Sequence, residues 1–191
     1  MNSFQNQGVI VFANSNNTSL SNTAWYGALP DLFPELEEAW ITVVNIDIDG
    51  TVGNETYELK SAPCGDAARY CLGGDAHEIN GLAQGNRYWM RQSGTSFMAP
   101  QVSGAVALLA EAFPNQTPEM WTKRLLATAN NSLGSAFAHD GYVDFGNGVI
   151  HGYDFQTGHG ILNVYLALQP ITSSSYQTSV FGGANSVDGI R

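Results

Sequence analysis

The chain has 191 residues, 43% of them hydrophobic and 13% charged, with 7 basic against 17 acidic side chains and a formal net charge of −10. That length supports one core and one domain. The acidic surplus repels phosphate backbones and anionic bilayers, so neither nucleic acid nor a membrane surface is an expected partner. No run approaches the ~20 apolar residues of a membrane span. The opening "MNSFQNQGVIVFA" lacks the basic n-region of a signal peptide, which taken literally means a cytoplasmic chain. Its apolar run nevertheless reads as an interior strand beginning almost at the first residue.

"GVIVFA", 8–13, is continuous, apolar and β-branched, which predicts a strand buried on both faces, as in a parallel sheet. It breaks into the polar loop "NSNNTSLSNT". "AWITVVNIDI", 39–48, is the next strand and ends at the turn "DGTVGN". Asp47 and Asp49 stand before Gly50 like the start of a calcium loop, but no Glu closes it at the twelfth position. A strand-end turn is the expectation, with no metal or cofactor held by this segment. "TYELK", "ARYCL" and "NRYWMRQSG" are shorter strand candidates. Cys64 and Cys71, with six residues between them, suit a small disulfide loop or two unlinked thiols. They do not suit zinc, since no C-x-x-C or nearby His pair is present.

A helix is expected from Ser96 to Phe113, stopping at Pro114. Ala99, Val102, Ala105, Val106 and Leu109 recur at helical spacing, while Gly104, Ala107 and Ala110 leave little side chain elsewhere. Such a helix is expected to lie buried between layers. A second helix follows, with Thr117 as N-cap, Pro118 at the first helical position and Glu119 at the positive end. Met120, Leu125 and Leu126 would face the core. The glycine-rich stretch from Gly141 predicts a hairpin, "NVYLALQ" a last short helix, and 170–191 a polar linker or disordered tail. The whole reads as α/β.

The chemistry concentrates at "RQSGTSFMAPQVSGAVALL". A serine in the first turn of a buried helix sits among unpaired N–H groups and positive potential, which stabilise a nearby anion. Gly94 before it lets a substrate backbone approach. Fixed geometry, with donors aimed where charge develops, is what an acyl-transfer nucleophile needs. An N-cap serine would look the same over Gly-Thr-Ser alone.

The longer string resembles the nucleophile motif of the subtilisin-like serine proteases, G-T-S-x-A-x-P followed by a small-residue helix. Gly94, Thr95, Ser96, Pro100 and Gly104 fall on the pattern, and Met98 stands where Ala is usual. "GVIVFANSNN" resembles the family strand that ends in the oxyanion-hole asparagine. The alignment places that amide on Asn16, with Ser15 where Gly is usual; a one-residue shift would choose Asn17. "WITVVNIDIDGTVG" resembles the following strand and "TGHGILNV" the closing segment, so the likeness runs from about Gly8 to Leu168. The "CGDAARYCLGG" loop looks most like members exported by the autotransporter route.

The resemblance implies the C-terminal half of a subtilisin-like parallel-sheet domain with helices on both faces, truncated at the N-terminus and covering 1–169. It implies a serine endopeptidase with Ser96 as nucleophile, Asn16 as oxyanion donor, a polypeptide substrate, and a secreted or surface setting. The family mechanism needs Asp, then His, then Ser in chain order. No D-[TS]-G or H-G-T-x-V-A-G string occurs here. His77, His139, His151 and His159 lack the base's context, His159 being expected as a turn residue. The chain alone is therefore expected to be inactive, to need the missing N-terminal half of its domain as a partner, or to serve as a non-catalytic structural or binding module. Calcium in a full-length parent stays open. An esterase is disfavoured, because G-x-S-x-G does not surround Ser96.

Overall fold

The computed structural model describes residues 2–51, 54–81, 90–134 and 137–171. The last part of the "NRYWMRQSG" candidate falls within these residues and its first part outside them, as does the expected tail beyond 171.

After a short α1 (Asn2–Gln5), β1 (Ile10–Ala13) runs parallel to the long β2 (Trp40–Thr51), Ala13 lying opposite Val43. Between them are 3-10 turns at Trp25–Ala28 and Pro34–Ala39 and a single-turn α2 (Leu29–Leu32). β3 (Asn54–Leu59) folds back antiparallel on β2, with Ile46 opposite Leu59. β1 and β3 thus share one edge of β2, one ending where the other begins. On the opposite edge β4 (Cys71–Asp75) pairs parallel with Thr42 to Ile46.

β1 departs from expectation. Its four residues are only half-buried, because among the described residues β2 is its only strand partner. "ARYCL" also splits. Gly65–Tyr70 is a 3-10 turn, and only from Cys71 does the chain extend. β5 (Ile79–Gly81) and β6 (Met90–Gln92) form a separate antiparallel pair leading into the serine helix.

That helix, α3 (Thr95–Ala112), packs on β1, β2 and β4. Met98, Val102, Ala105 and Leu109 form its buried stripe, joining Ile41, Val43 and Leu72 of the sheet in one apolar cluster. The opposite side, with Ser103, Gly104, Ala107 and Leu108, faces solvent. The expectation of a helix enclosed all round is therefore corrected: its small residues line an open face. Met98 in place of the usual Ala has its own accommodation. A Cβ on Gly74 of β4 would lie 2.5 Å from the Met98 Sδ and Cε, so the missing side chain in β4 makes room for the larger one in α3.

α4 (Pro118–Ala127) begins as expected, the Thr117 hydroxyl accepting from the Met120 N–H at 3.3 Å. Leu125 and Leu126 are buried, while Met120 is half-buried. β7 (Gly141–Asp144) and β8 (Ile150–Tyr153) make the expected hairpin, and α5 (Val164–Ala167) closes the described chain. On the second face of the sheet, Val44 and Ile46 pack against Cys64, Ala68 and Cys71. Cys64 and Cys71 are joined in a disulfide with Cα atoms 6.0 Å apart, closing the 3-10 turn into a small loop.

Candidate active site

The site forms where β1 and β4 run out. Ligand crevices of α/β sheets lie outside the carboxyl ends of parallel strands, and three segments meet there: the loop after Ala13, the residues after Asp75, and the start of α3. The Gly94 N–H donates to the Ala76 carbonyl at 3.0 Å. The Ala76 N–H donates to the Asn45 Oδ1 at 3.1 Å, tying this turn to the interior of β2. The Thr95 Oγ1 donates to the Asn14 carbonyl at 2.6 Å, and its N–H to the Asn16 Oδ1 at 2.9 Å. These bonds fix the N-terminus of α3 against the end of β1.

Ser96 follows directly and is exposed, whereas Thr95 on one side is buried and Phe97 on the other is half-buried. Of the first N–H groups of α3, that of Thr95 goes to Asn16 and that of Phe97 to the Gly94 carbonyl. The Ser96 N–H takes part in neither bond. Gly94 holds φ +153°, a conformation L side chains rarely adopt, and a Cβ there would lie 3.1 Å from both the Nδ2 and the Oδ1 of Asn16. The Asn16 amide thus lies against the backbone that carries Ser96. With its Oδ1 turned to Thr95, its Nδ2 remains to donate elsewhere. Asn17 takes a local part instead, its Oδ1 accepting from the Ser19 N–H at 3.0 Å.

One contributor escaped the sequence reading. Asn14 is 3% exposed and its side chain joins two neighbouring segments, at Ala62–Pro63 and Thr23–Ala24. Only its place beside two other asparagines hinted at anything.

The histidines lie elsewhere. His159 does sit in a turn, but its ring is completely buried. Its Nδ1 is 3.0 Å from that of His151, while the outer nitrogens meet the Arg69 and Ala129 carbonyls at 2.9 and 3.0 Å. Desolvation is the main cause holding both imidazoles well below the ordinary histidine pKa. Two neutral rings carry two protons for these three contacts, so one contact lacks its proton. His139 meets Phe137 edge to face and stacks on Tyr142. His77 Nε2 lies 3.7 Å from the Asp47 carboxylate, which also faces Lys60 at 3.6 Å. Asp140 accepts from the Phe155 N–H at 2.7 Å, a turn role.

The model of the subtilase family matches residues 1–160. The chain belongs to the subtilase family. Among curated relatives, the serotype-specific antigen 1 of Mannheimia haemolytica is 31% identical over 129 residues, covering 64% of this chain and 13% of that protein. The Neisserial autotransporter lipoprotein NalP of Neisseria meningitidis serogroup B is 26% identical over 136 residues, covering 66% of this chain and 12% of that protein. The crystal structure of fervidolysin from Fervidobacterium pennivorans, a keratinolytic enzyme related to subtilisin, superposes with a TM-score of 0.59 at 23% identity, over 84% of this chain and 22% of that one. The chain thus spans about an eighth of the length of these curated relatives. Its fold is subtilisin-like α/β, and by family it is a segment of a serine protease domain.

Proposed function

We propose that this chain is the part of a serine endopeptidase that carries the nucleophile and an oxyanion donor. The observation that carries this reading is the exposed Ser96 at the N-terminus of α3 with the Asn16 amide held beside it through Thr95. Ser96 Oγ attacks the scissile carbonyl of a polypeptide. The carbonyl oxygen, gaining charge, receives the Asn16 Nδ2–H and the Ser96 backbone N–H, reinforced by the helix's positive end. The acyl-enzyme formed on Ser96 is then hydrolysed.

A base must take the Ser96 proton, and a carboxylate must orient that base. Two of this chain's imidazoles are buried on carbonyls, a third is stacked, and the fourth, His77, faces the Asp47 carboxylate at 3.7 Å; none stands in the sequence context of the family's base. We therefore assign base and orienter to a further segment of the same domain. That segment seats on the free edge of β1 and on the open face of α3, where Leu108 is 49% exposed. Residues 1–169 belong to the peptidase domain, whose apolar core also takes in Ile171. The relation to a protein named as an autotransporter favours a secreted or surface setting. The alternative is a chain that binds without catalysis.

The test is turnover of a quenched fluorescent polypeptide by the complete gene product and by its Ser96→Ala variant. The expected result is turnover that falls in the variant to the ~10³–10⁴-fold residual over water left by binding and the oxyanion hole, a figure itself measured on a subtilisin. Equal turnover by both proteins overturns the assignment, and absence of turnover in the complete product favours the binding module.

A further inference from the structure

Asn14 is a buried polar side chain, and five hydrogen bonds converge on it. Its Nδ2 donates to the Ala62 carbonyl at 3.2 Å and the Pro63 carbonyl at 2.8 Å. Its Oδ1 accepts from the Ser15 N–H at 2.8 Å, the Thr23 Oγ1 at 3.1 Å and the Ala24 N–H at 2.8 Å. Two carbonyls on one side and three donors on the other fix which amide atom is which. They also require an amide, since a carboxylate would turn oxygen toward the two carbonyls and an aliphatic side chain would make none of the five bonds, leaving only the Ala62 carbonyl a second donor, Ser61 Oγ at 3.0 Å.

The backbone here is held as firmly. The Asn14 N–H donates to the Val43 carbonyl at 3.1 Å, and the Ser15 carbonyl accepts from the Ala62 N–H at 2.8 Å. The Asn14 carbonyl is the acceptor for Thr95 Oγ1. Asn14 therefore clamps the end of β1 between the segment entering the disulfide loop and the segment at Thr23–Ala24. Two residues later the chain reaches Asn16, which is itself exposed and whose side chain is bonded, among the described residues, through Thr95. An exposed donor can act as a preorganised one only if its backbone is fixed from behind.

We infer that Asn14 is a positioning residue for the oxyanion donor: its buried amide sets where the Asn16 side chain stands relative to Ser96. This rests on the proposed roles of Ser96 and Asn16. Misplacement of a reacting group by about 1 Å can cost ~10² in rate, so the effect falls on the chemical step and leaves substrate binding intact.

The experiment uses the complete gene product and the isosteric Asn14→Asp variant, with Asn14→Ser as a second in case the first does not fold. kcat and KM are measured for each, alone and combined with Asn16→Ala, alongside hydrogen exchange of the peptides spanning 13–17 and 94–98. The expected result is a kcat lowered by ~10² with KM unchanged, faster exchange in those two peptides and unchanged exchange in β2. The loss should be absent when Asn16 is already Ala, because the two residues act as one unit. Asn14 variants with wild-type kcat overturn the inference. So does a loss of the same size in the Asn16→Ala background, since Asn14 would then act elsewhere. If the unsubstituted protein shows no Ser96-dependent turnover, the functional reading has failed. The exchange data then still decide the clamp: unchanged protection at 13–17 and 94–98 overturns it.

Discussion

The Oδ1 of Asn16 accepts a hydrogen bond from the Thr95 N–H at 2.9 Å, joining positions 79 residues apart in the chain. This bond brings the loop after β1 against the first turn of α3. It also orients the amide, since an oxygen committed to Thr95 leaves the nitrogen as the donor.

Gly94 is the residue least able to change beside that bond. Its φ is +153°, and a Cβ added there would come within 3.1 Å of the Asn16 amide, so Gly94→Ala must strain the backbone and displace Asn16 together. Residues held in such regions cost on the order of 1–3 kcal/mol. Urea unfolding of Gly94→Ala should show a loss in that range. A variant as stable as the parent would mean that the turn relaxes freely.

Arg124 holds the C-terminal end of the described chain. It is 1% exposed, donates to the Ala167 carbonyl at 2.9 Å and the Gln169 carbonyl at 2.6 Å, and lies 4.1 Å from the centre of the Phe113 ring. Hydrogen bonds to charged groups contribute about 1.5–3 kcal/mol each. Arg124→Ala is expected to destabilise by about 3 kcal/mol or more, and Arg124→Lys by less but measurably, because an ammonium cannot reproduce the planar fork. Chemical denaturation of both variants checks the order. Equal stability of the Lys variant and the parent would contradict it.

The buried imidazole pair gives the fold an acid sensitivity. Burial lowers both His151 and His159 from their ordinary value of 6.5. Above about 6.5 neither the folded nor the unfolded chain protonates them, so stability there is independent of this pair. Below it the unfolded chain takes up protons that the folded chain refuses, and stability falls as the pH drops. The urea midpoint should therefore be lower at about pH 5 than at about pH 7.5. The drop should shrink when both histidines are replaced by Gln. An unchanged midpoint would mean that the pair accepts its protons in place.

The sequence carried the local parts of this architecture well. Thr117 and Pro118 start α4 through contacts within one turn. The Gly-Thr-Ser string and the small-residue helix locate Ser96 by motif alone. What escaped were features decided by contacts far along the chain. Asn14 looks like any loop asparagine until Ala62 and Pro63, 48 and 49 residues on, turn their carbonyls to it. His159 reads as a turn residue, and it is one, but its neighbours His151 and Arg69 bury it. Arg124, on which the sequence pattern offered no reading, proves to be a core residue. The half-exposure of β1 was illegible for another reason: an apolar run does not disclose whether strands flank it on both sides.

The most direct measurement is labelling of the complete gene product with a fluorophosphonate, followed by mass-spectrometric location of the adduct. The expected result is a single modified peptide containing Ser96, lost in Ser96→Ala and formed ~10²–10³ times more slowly in Asn16→Ala, the range found for loss of such a donor in a subtilisin. A modification at another residue, or labelling at the same rate without the Asn16 amide, would contradict the account.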